Sequence, residues 1–397
     1  MVLGILVAIV AGLTTAWPAV ATTPSRAADD PPAVDRYTPL VMHVFAPPHW
    51  FRDTDGTYQL VYELELTNGL PVPAEVTRLT VRDAKSGRAV ARLSGKALTA
   101  ATGPLAGGYG SPSTKVEPSS VSVVWMEVPF KSRKAIPARI DHTLTVRVPP
   151  GLPVPRTITD TGGASKVDLS PPTVIGAPVQ GSGWVAAGSC CDGPHRRALQ
   201  PINGHLALGQ RFAIDFNRGN PEGRWVIGDP DVNQNWIFFG NPVVAVADGT
   251  VVEAVDKFPN QTPNHPQPVT LPEADGNHVI IRFGKGLYAG YAHLDAGSVA
   301  VHPGQHVRRG QVIGLLGNSG SSSGPHLHFQ VMSKPSLVDA EGLPFAFESF
   351  DLEGKIPVPG KNFEKEINSG APIPVLPAGA GPRHDELPVG RDVVAFP

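Results

Sequence analysis

"SSSGPHLHFQV", residues 321–331, places two histidines on either side of one leucine directly after a Gly-Pro turn. In an extended strand the side chains at i and i+2 share a face. His326 and His328 therefore project together, while Leu327 turns toward a core. Two imidazoles one pleat apart reach the same ion or the same water. Neutral imidazole is a common zinc ligand and also a base near neutral pH. Taken alone, the pair also fits an exposed strand face. The preceding "GNSGSSSG" (317–324) has no lysine and no helix start after it. It reads as the turn that delivers the histidines, not as a phosphate loop.

Working outward, the neighbouring segments are short, β-branched and rich in glycine: "VVAVADGTVVEAV" (243–255), "NHVIIRF" (277–283), "LYAGYAHL" (287–294) and "QVIGLLGNSG" (311–320). They predict a strand-rich domain over 183–350. "YAHL" brings His293 to the end of an apolar strand, and "RFAIDF" sets Asp215 between Ile214 and Phe216. A carboxylate in such a run is costly unless it meets a cation or a donor. A catalytic zinc takes three protein ligands and keeps a fourth position for water. His328, His326, His293 and Asp215 together supply two ligand candidates and two proton handlers. Other signals are weaker. "DPDVNQN" (229–235) lacks the closing glutamate of a calcium loop and reads as a turn. His278 reads as a packed, hydrogen-bonded residue, and His302 and His306 as exposed. "KFPNQTPNHPQPVTLPEADG" (257–276) is a long insertion expected to shape a substrate groove.

The chain has 397 residues, which predicts two or three domains, and Gly and Pro at 43 each favour turns over long helices. A net charge of -2 supplies no long-range field for nucleic acid. "TYQLVYELELT" (57–67) alternates, with Tyr58, Leu60, Tyr62, Leu64 and Leu66 on one face and Gln59, Glu63, Glu65 and Thr67 on the other. The second face reads as solvated. With "EVTRLTVRD" (75–83), "SVSVVWMEV" (120–128) and "HTLTVRV" (142–148), it predicts an immunoglobulin-like β-sandwich over 37–150 with no catalytic constellation. A Pro-rich linker is expected over 151–182 and an extended or disordered tail over 351–397. The apolar run at 2–13 followed by "AVA" (19–21) reads as a signal peptide cut after Ala21, with an uncleaved anchor as the alternative. No other segment is apolar enough to span a bilayer, so no transmembrane partner is implied. Cys190 and Cys191 are the only cysteines and exclude a disulfide framework. They form either a two-residue ring or two thiols.

"GTVVEA", "NHVIIRFGKGLYAGYAHL" and "VHPGQHVRRGQVIGLLGNSGSSSGPHLHFQV", in that order, resemble the lysostaphin-type zinc metalloendopeptidases, peptidase family M23. The resemblance covers about 195–350. It implies a β-sheet groove fold of the duplicated hybrid motif type, a bound Zn2+, and hydrolysis of peptide bonds in bacterial peptidoglycan through a zinc-activated water, outside the cytoplasm. It also implies that His328 and Asp215 bind zinc. His326 would position or deprotonate the water, and His293 would stabilise the tetrahedral intermediate. The family pattern around the aspartate is His-x-x-x-Asp, and here Arg211 stands four residues before Asp215. Arginine stays charged and cannot bind zinc. A third ligand must come from elsewhere: His195 in "GPHRRAL", which the resemblance favours, or His205 in "NGHLAL". If neither serves, the domain is a degenerate relative that acts as a regulator or binding module for wall hydrolases.

Overall fold

The computed structural model describes residues 35, 37–105, 111–191, 193–357, 365–367 and 371–397. The signal-peptide reading at 1–21 lies outside them. No helix among the described residues is long and apolar enough to cross a membrane. Residues Thr38–Pro397 form one compact unit, and it is mostly β.

Its N-terminal part holds two five-stranded antiparallel sheets among the described residues. One runs Leu40–Val44, Tyr58–Asn68, Val121–Phe130 and Thr102–Pro104, with His49–Arg52 beside Tyr58–Asn68. The other runs Thr157–Lys166, Arg139–Arg147, Ala74–Asp83 and Ala89–Ser94, with Lys115–Val116 at the end of Ala74–Asp83. Leu60, Tyr62, Leu64 and Leu66 meet Val76, Leu79, Ile140 and Leu144 between them. That is the apolar face the alternation marks out.

The opposite face of Tyr58–Asn68 departs from the solvated reading. Val61 and Glu63 are fully buried. Val61 and Phe51 join the core of the C-terminal part, where Phe51 meets Phe212 edge-on at 5.9 Å. Val123 and Trp125 of the neighbouring strand pack on Leu208. The physical reason is simple: a period of two shows that a strand has two unlike faces, but not whether water or another domain covers the polar one.

The C-terminal part is built on a ten-stranded sheet. Its order is His306–Val307, Gly249–Val255, Asn277–Gly284, Leu287–Leu294, Leu327–Met332, Ile214–Arg218, Gly181–Ala187, Asp392–Phe396, Phe350–Lys355 and Gly381–Arg383. Every neighbouring pair is antiparallel.

Two further stretches differ from expectation. The span read as a linker contributes Thr157–Lys166, an edge strand of the N-terminal part, before the chain crosses over and Thr173–Ile175 pairs in parallel with Phe345–Phe347. The span read as an extended tail contributes Asp392–Phe396 to the interior of the ten-stranded sheet, with Val393 and Val394 buried. The tail also grips the N-terminal part: Thr54 donates to Asp392 at 2.6 Å, and Lys355 reaches Asp55 at 3.1 Å.

Candidate metal centre

Asp215 on Ile214–Arg218 stands directly opposite His328 on Leu327–Met332. Residues paired across strands share a face. Ile214, Phe216, Leu327 and Phe329 enter the core, so Asp215 and His328 rise together on the other side. His328 Nδ1 lies 3.0 Å from Asp215 Oδ1. His326, two residues earlier, puts its Nε2 3.5 Å from the same oxygen.

His293 reaches this face by a bulge. Asn277 pairs with Leu294 and Val279 with Tyr291, so Ala292 and His293 together oppose His278. The extra residue breaks the alternation, and His293 takes a left-handed φ of 62°. A bulge of this kind re-aims a side chain. The His293 ring comes to 4.8 Å from that of His326 and 5.9 Å from that of His328.

His195 arrives from a single turn of 3-10 helix, His195–Arg197, after the Gly193-Pro194 bend. Its Nε2 lies 3.2 Å from Asp215 Oδ2. Gly188 makes room for it. A Cβ there would sit 2.8 Å from the imidazole, and its φ of 63° disfavours a side chain in any case. Beside it Cys190 and Cys191 are joined to each other by a disulfide. The alternative ligand His205 lies elsewhere, exposed and 2.8 Å from Asp339. His195, Asp215 and His328 each offer one ligand atom, all within 4.8 Å of one another.

The hydrogen bonds assign the protons. A carbonyl oxygen only accepts, so a ring nitrogen facing one carries the hydrogen. His195 Nδ1 donates to Gly188 O at 3.1 Å, His326 Nδ1 to Gly324 O at 2.9 Å, and His293 Nδ1 to Ser319 O at 2.8 Å. Each neutral ring is left with Nε2 as a lone pair. His328 is turned the other way. Gln330 spends its amide N–H on Leu337 O at 3.0 Å and so presents Oε1 to His328 Nε2 at 2.9 Å. His328 Nε2 donates there, and Nδ1 keeps the lone pair beside Asp215. Two imidazole lone pairs and a carboxylate meet at one point, a donor set that suits zinc with a fourth position open. Gln330 was not singled out by the sequence reading, although it continues the His326, His328 parity in a buried strand.

Protons compete with a metal for these same lone pairs. Burial alone would push the Asp215 carboxyl up, but the protonated forms of His195 and His326, and the hydrogen bonds that His195 and His328 donate when protonated, hold it well below the usual range. Burial works to lower His195, and Asp215 overrides it and raises the ring. His293 has less help: burial, then His326 and His328, push it well below an ordinary histidine.

Arg211 points away from all of this. Its guanidinium binds Glu63 through Nε at 3.1 Å and Nη2 at 2.6 Å, and Glu341 through Nη1. The remaining readings find places. His278 is buried and donates Nδ1–H to Gly276 O at 2.8 Å. His302 and His306 are exposed. The 229–235 stretch is a turn closed by Asn235 on Asp229 O. The 257–276 insertion is tied to the turn ahead of His326, through Gln261 N to Asn318 O and Asn264 N to Ser323 O, both 2.8 Å. A cavity beside the cluster is lined by Pro194, Asp215, Trp236 and His326, with Ile367 and Arg391 of the C-terminal segment on its wall.

Residues 237–340 match peptidase family M23. That stretch, about a quarter of the chain, is similar to the family. It contains His293, His326 and His328, whereas Asp215 and His195 precede it. Over 101 residues the chain is 39% identical to peptidoglycan DD-endopeptidase ShyA of Vibrio cholerae serotype O1, covering 25% of this chain and 20% of that protein. Over 91 residues it is 38% identical to DD-carboxypeptidase/endopeptidase Mpg of Neisseria meningitidis serogroup B, covering 23% and 17%. The match thus spans a fifth or less of each relative's length. The catalytic domain of lysostaphin from Staphylococcus simulans overlaps 31% of this chain and 86% of its own, with 28% identity and a TM-score of 0.20. A score that low does not bear on the architecture.

Proposed function

We propose that the protein is a zinc-dependent endopeptidase that acts outside the cytoplasm on the peptides of bacterial peptidoglycan. The observation that carries this is the meeting of one ligand atom each from His195, Asp215 and His328 within 4.8 Å, beside two further imidazoles whose Nδ1 protons are already committed. The match to family M23 and relatives named as peptidoglycan endopeptidases support the substrate class.

His195, Asp215 and His328 would hold the metal. When bound, zinc acidifies water and polarises a carbonyl as a Lewis acid. The chain's own residues do the rest. His326 offers Nε2 to take the proton of the attacking water and passes it to the departing amine. His293 would stabilise the oxyanion that forms at the scissile carbon once its Nε2, a lone pair in the resting ring, has taken up a proton during the reaction. Gly324 and Ser319 fix both rings through their carbonyls, so neither has to reorient during the reaction. The 257–276 insertion and the Ile367 and Arg391 wall would border the peptide groove. The N-terminal sheets, read as an immunoglobulin-like sandwich, pack behind the site.

The degenerate reading drew its support from Arg211. Since that side chain faces Glu63 and Glu341, it neither occupies nor repels a cation at Asp215. The test uses the full chain: zinc by elemental analysis, and turbidity of purified cell walls with and without a chelator. One zinc per chain and chelator-sensitive clearing are expected. A chain that stays zinc-free in replete buffer and never clears walls would rule the enzyme out.

A further inference from the structure

Glu63 has no exposed surface, and Arg196 and Arg211 retain 1% each. Glu63 comes from the middle of the N-terminal strand Tyr58–Asn68. The two arginines come from the C-terminal part, and each is a near neighbour in sequence of one metal-ligand candidate. Arg196 follows His195 directly. Arg211 stands four residues ahead of Asp215.

The contacts are dense. The Arg196 guanidinium binds Glu63 Oε1 and also donates to Tyr62 O at 2.9 Å and Met126 O at 3.1 Å. It lies 5.3 Å over the Trp125 ring. Arg211 takes both oxygens of Glu63. Arg197 adds a bond to Ala100 O at 2.8 Å, and Leu199 packs on Val123 and Trp125. All of these acceptors and rings belong to the N-terminal part. The His195–Arg197 turn itself has no side-chain cap. A 3-10 turn advances by three residues per revolution, so consecutive side chains diverge widely. Arg196 therefore enters the N-terminal sheet while His195 swings to Asp215.

We propose that Glu63 is a positioning residue of the metal centre. Its carboxylate locks Arg196 and Arg211 at the domain boundary, and that lock sets the His195 imidazole at coordinating distance from Asp215. The ligand position given up at residue 211 and the ligand gained at residue 195 are thus tied to one carboxylate of the other domain. This rests on the zinc site proposed above.

The test is Glu63→Gln in the full chain, which keeps the shape and removes the charge, with Glu65→Gln on the same strand as control. Zinc affinity is measured by chelator competition under conditions where circular dichroism shows each variant folded. The visible spectrum of the Co(II)-loaded protein reports the ligand set. Loss of a supporting contact around a metal ligand typically weakens binding by about 10–100-fold. Glu63→Gln should weaken zinc about tenfold or more and shift the Co(II) spectrum toward that of His195→Ala, while Glu65→Gln changes neither. A folded Glu63→Gln with the parent's zinc constant and spectrum overturns the proposal. Should Glu63→Gln not fold, the quadruple variant Glu63→Leu, Arg196→Met, Arg211→Met, Glu341→Gln replaces the whole charge cluster, Arg211's second partner included, a swap that buried ion clusters tolerate. It should fold and bind zinc about tenfold more weakly, and parental affinity in it is again fatal. If His195→Ala binds as the parent does, the zinc-site reading fails and this inference falls with it. If His195→Ala loses zinc and Glu63→Gln does not, this inference fails alone.

Discussion

Glu63 and Asp215 are two carboxylates sunk into strands of the same compact unit, and they meet opposite fates. Glu63 is ringed by guanidinium groups, which stay charged and offer donors only. Burial would raise it, yet Arg211 and Arg196 hold it ionised. Its lone pairs are spent and its charge is cancelled, so no cation is drawn there. Asp215 is ringed by imidazoles whose Nδ1 or Nε2 protons point away to Gly188, Gly324 and Gln330. In their neutral forms their lone pairs stand beside its charge instead of cancelling it. The same buried acid becomes a fastener beside arginine and a cation site beside histidine. The distinction also explains Arg211, whose guanidinium is spent on the first carboxylate and on Glu341 rather than on the second.

The largest break in that comparison comes from removing a ligand. His328→Ala should abolish stoichiometric zinc and lower wall clearing by at least about a thousandfold, since loss of the metal takes the Lewis acid with it. Elemental analysis beside a clearing assay checks both. Next comes Arg211→Met. It leaves Glu63 buried with one cation in place of two, and breaking a buried pair costs about 3–5 kcal/mol. Urea unfolding should show that loss, while the folded fraction still takes up zinc. Arg211→His sharpens the point further: its imidazole would face Glu63, so zinc affinity should not rise above that of the parent.

Much of the candidate site was legible in the chain. The strand parity of His326 and His328, and the isolated carboxylate of Asp215 between Ile214 and Phe216, are local patterns, and local patterns survive folding. The parts that could not be read depend on what covers a face or on a single irregular residue. Glu63 lies on the polar side of a strand with a clean period of two, and that period is blind to the domain packed against it. His293 sits at a bulge, where one extra residue reverses the parity a sequence would assign. Thr157–Lys166 is an edge strand whose threonines and glycines alternate weakly, hence its reading as linker. Gln330 is a different case. It shares the parity of the two histidines, and a polar side chain in so apolar a strand was a signal in plain view.

A third buried environment sharpens the comparison. His142 is enclosed in the N-terminal part, where Tyr62 Oη donates to its Nε2 at 2.8 Å and its own Nδ1–H goes to Gly163 O at 3.0 Å. Its ring partners are a phenol and a carbonyl, not a carboxylate. Burial lowers it to about 4, whereas His195 beside Asp215 is raised. The sign follows. The unfolded chain protonates this residue near pH 6.5 and the folded chain does not until about pH 4, so stability is complete above 6.5 and drains away as pH falls through that window. A displacement of this size is worth about 3 kcal/mol by pH 4. Denaturation midpoints measured from pH 7 to pH 4 should fall less steeply in His142→Gln than in the parent by about that amount. Equal slopes would show that His142 titrates normally in the folded protein.

The smallest expected effect concerns Gln330, and it tests whether proton placement rather than mere proximity makes the Asp215 cluster a cation site. Gln330 fixes His328 with Nε2–H outward and Nδ1 toward Asp215. In Gln330→Leu the side chain keeps its bulk in the buried strand but loses the acceptor. His328 Nε2–H is then buried without a partner, and the tautomer with its proton on Nδ1, donating to Asp215, becomes the better choice. That tautomer has no Nδ1 lone pair to offer a metal beside Asp215. Zinc should bind about 10–100-fold more weakly. The Gln330→Glu variant should recover most of the affinity, because a carboxylate still accepts from Nε2–H. If Gln330→Leu holds zinc as tightly as the parent, then nearness of His195, Asp215 and His328 is sufficient, and the contrast drawn between the two buried acids loses its dependence on where the imidazole protons lie.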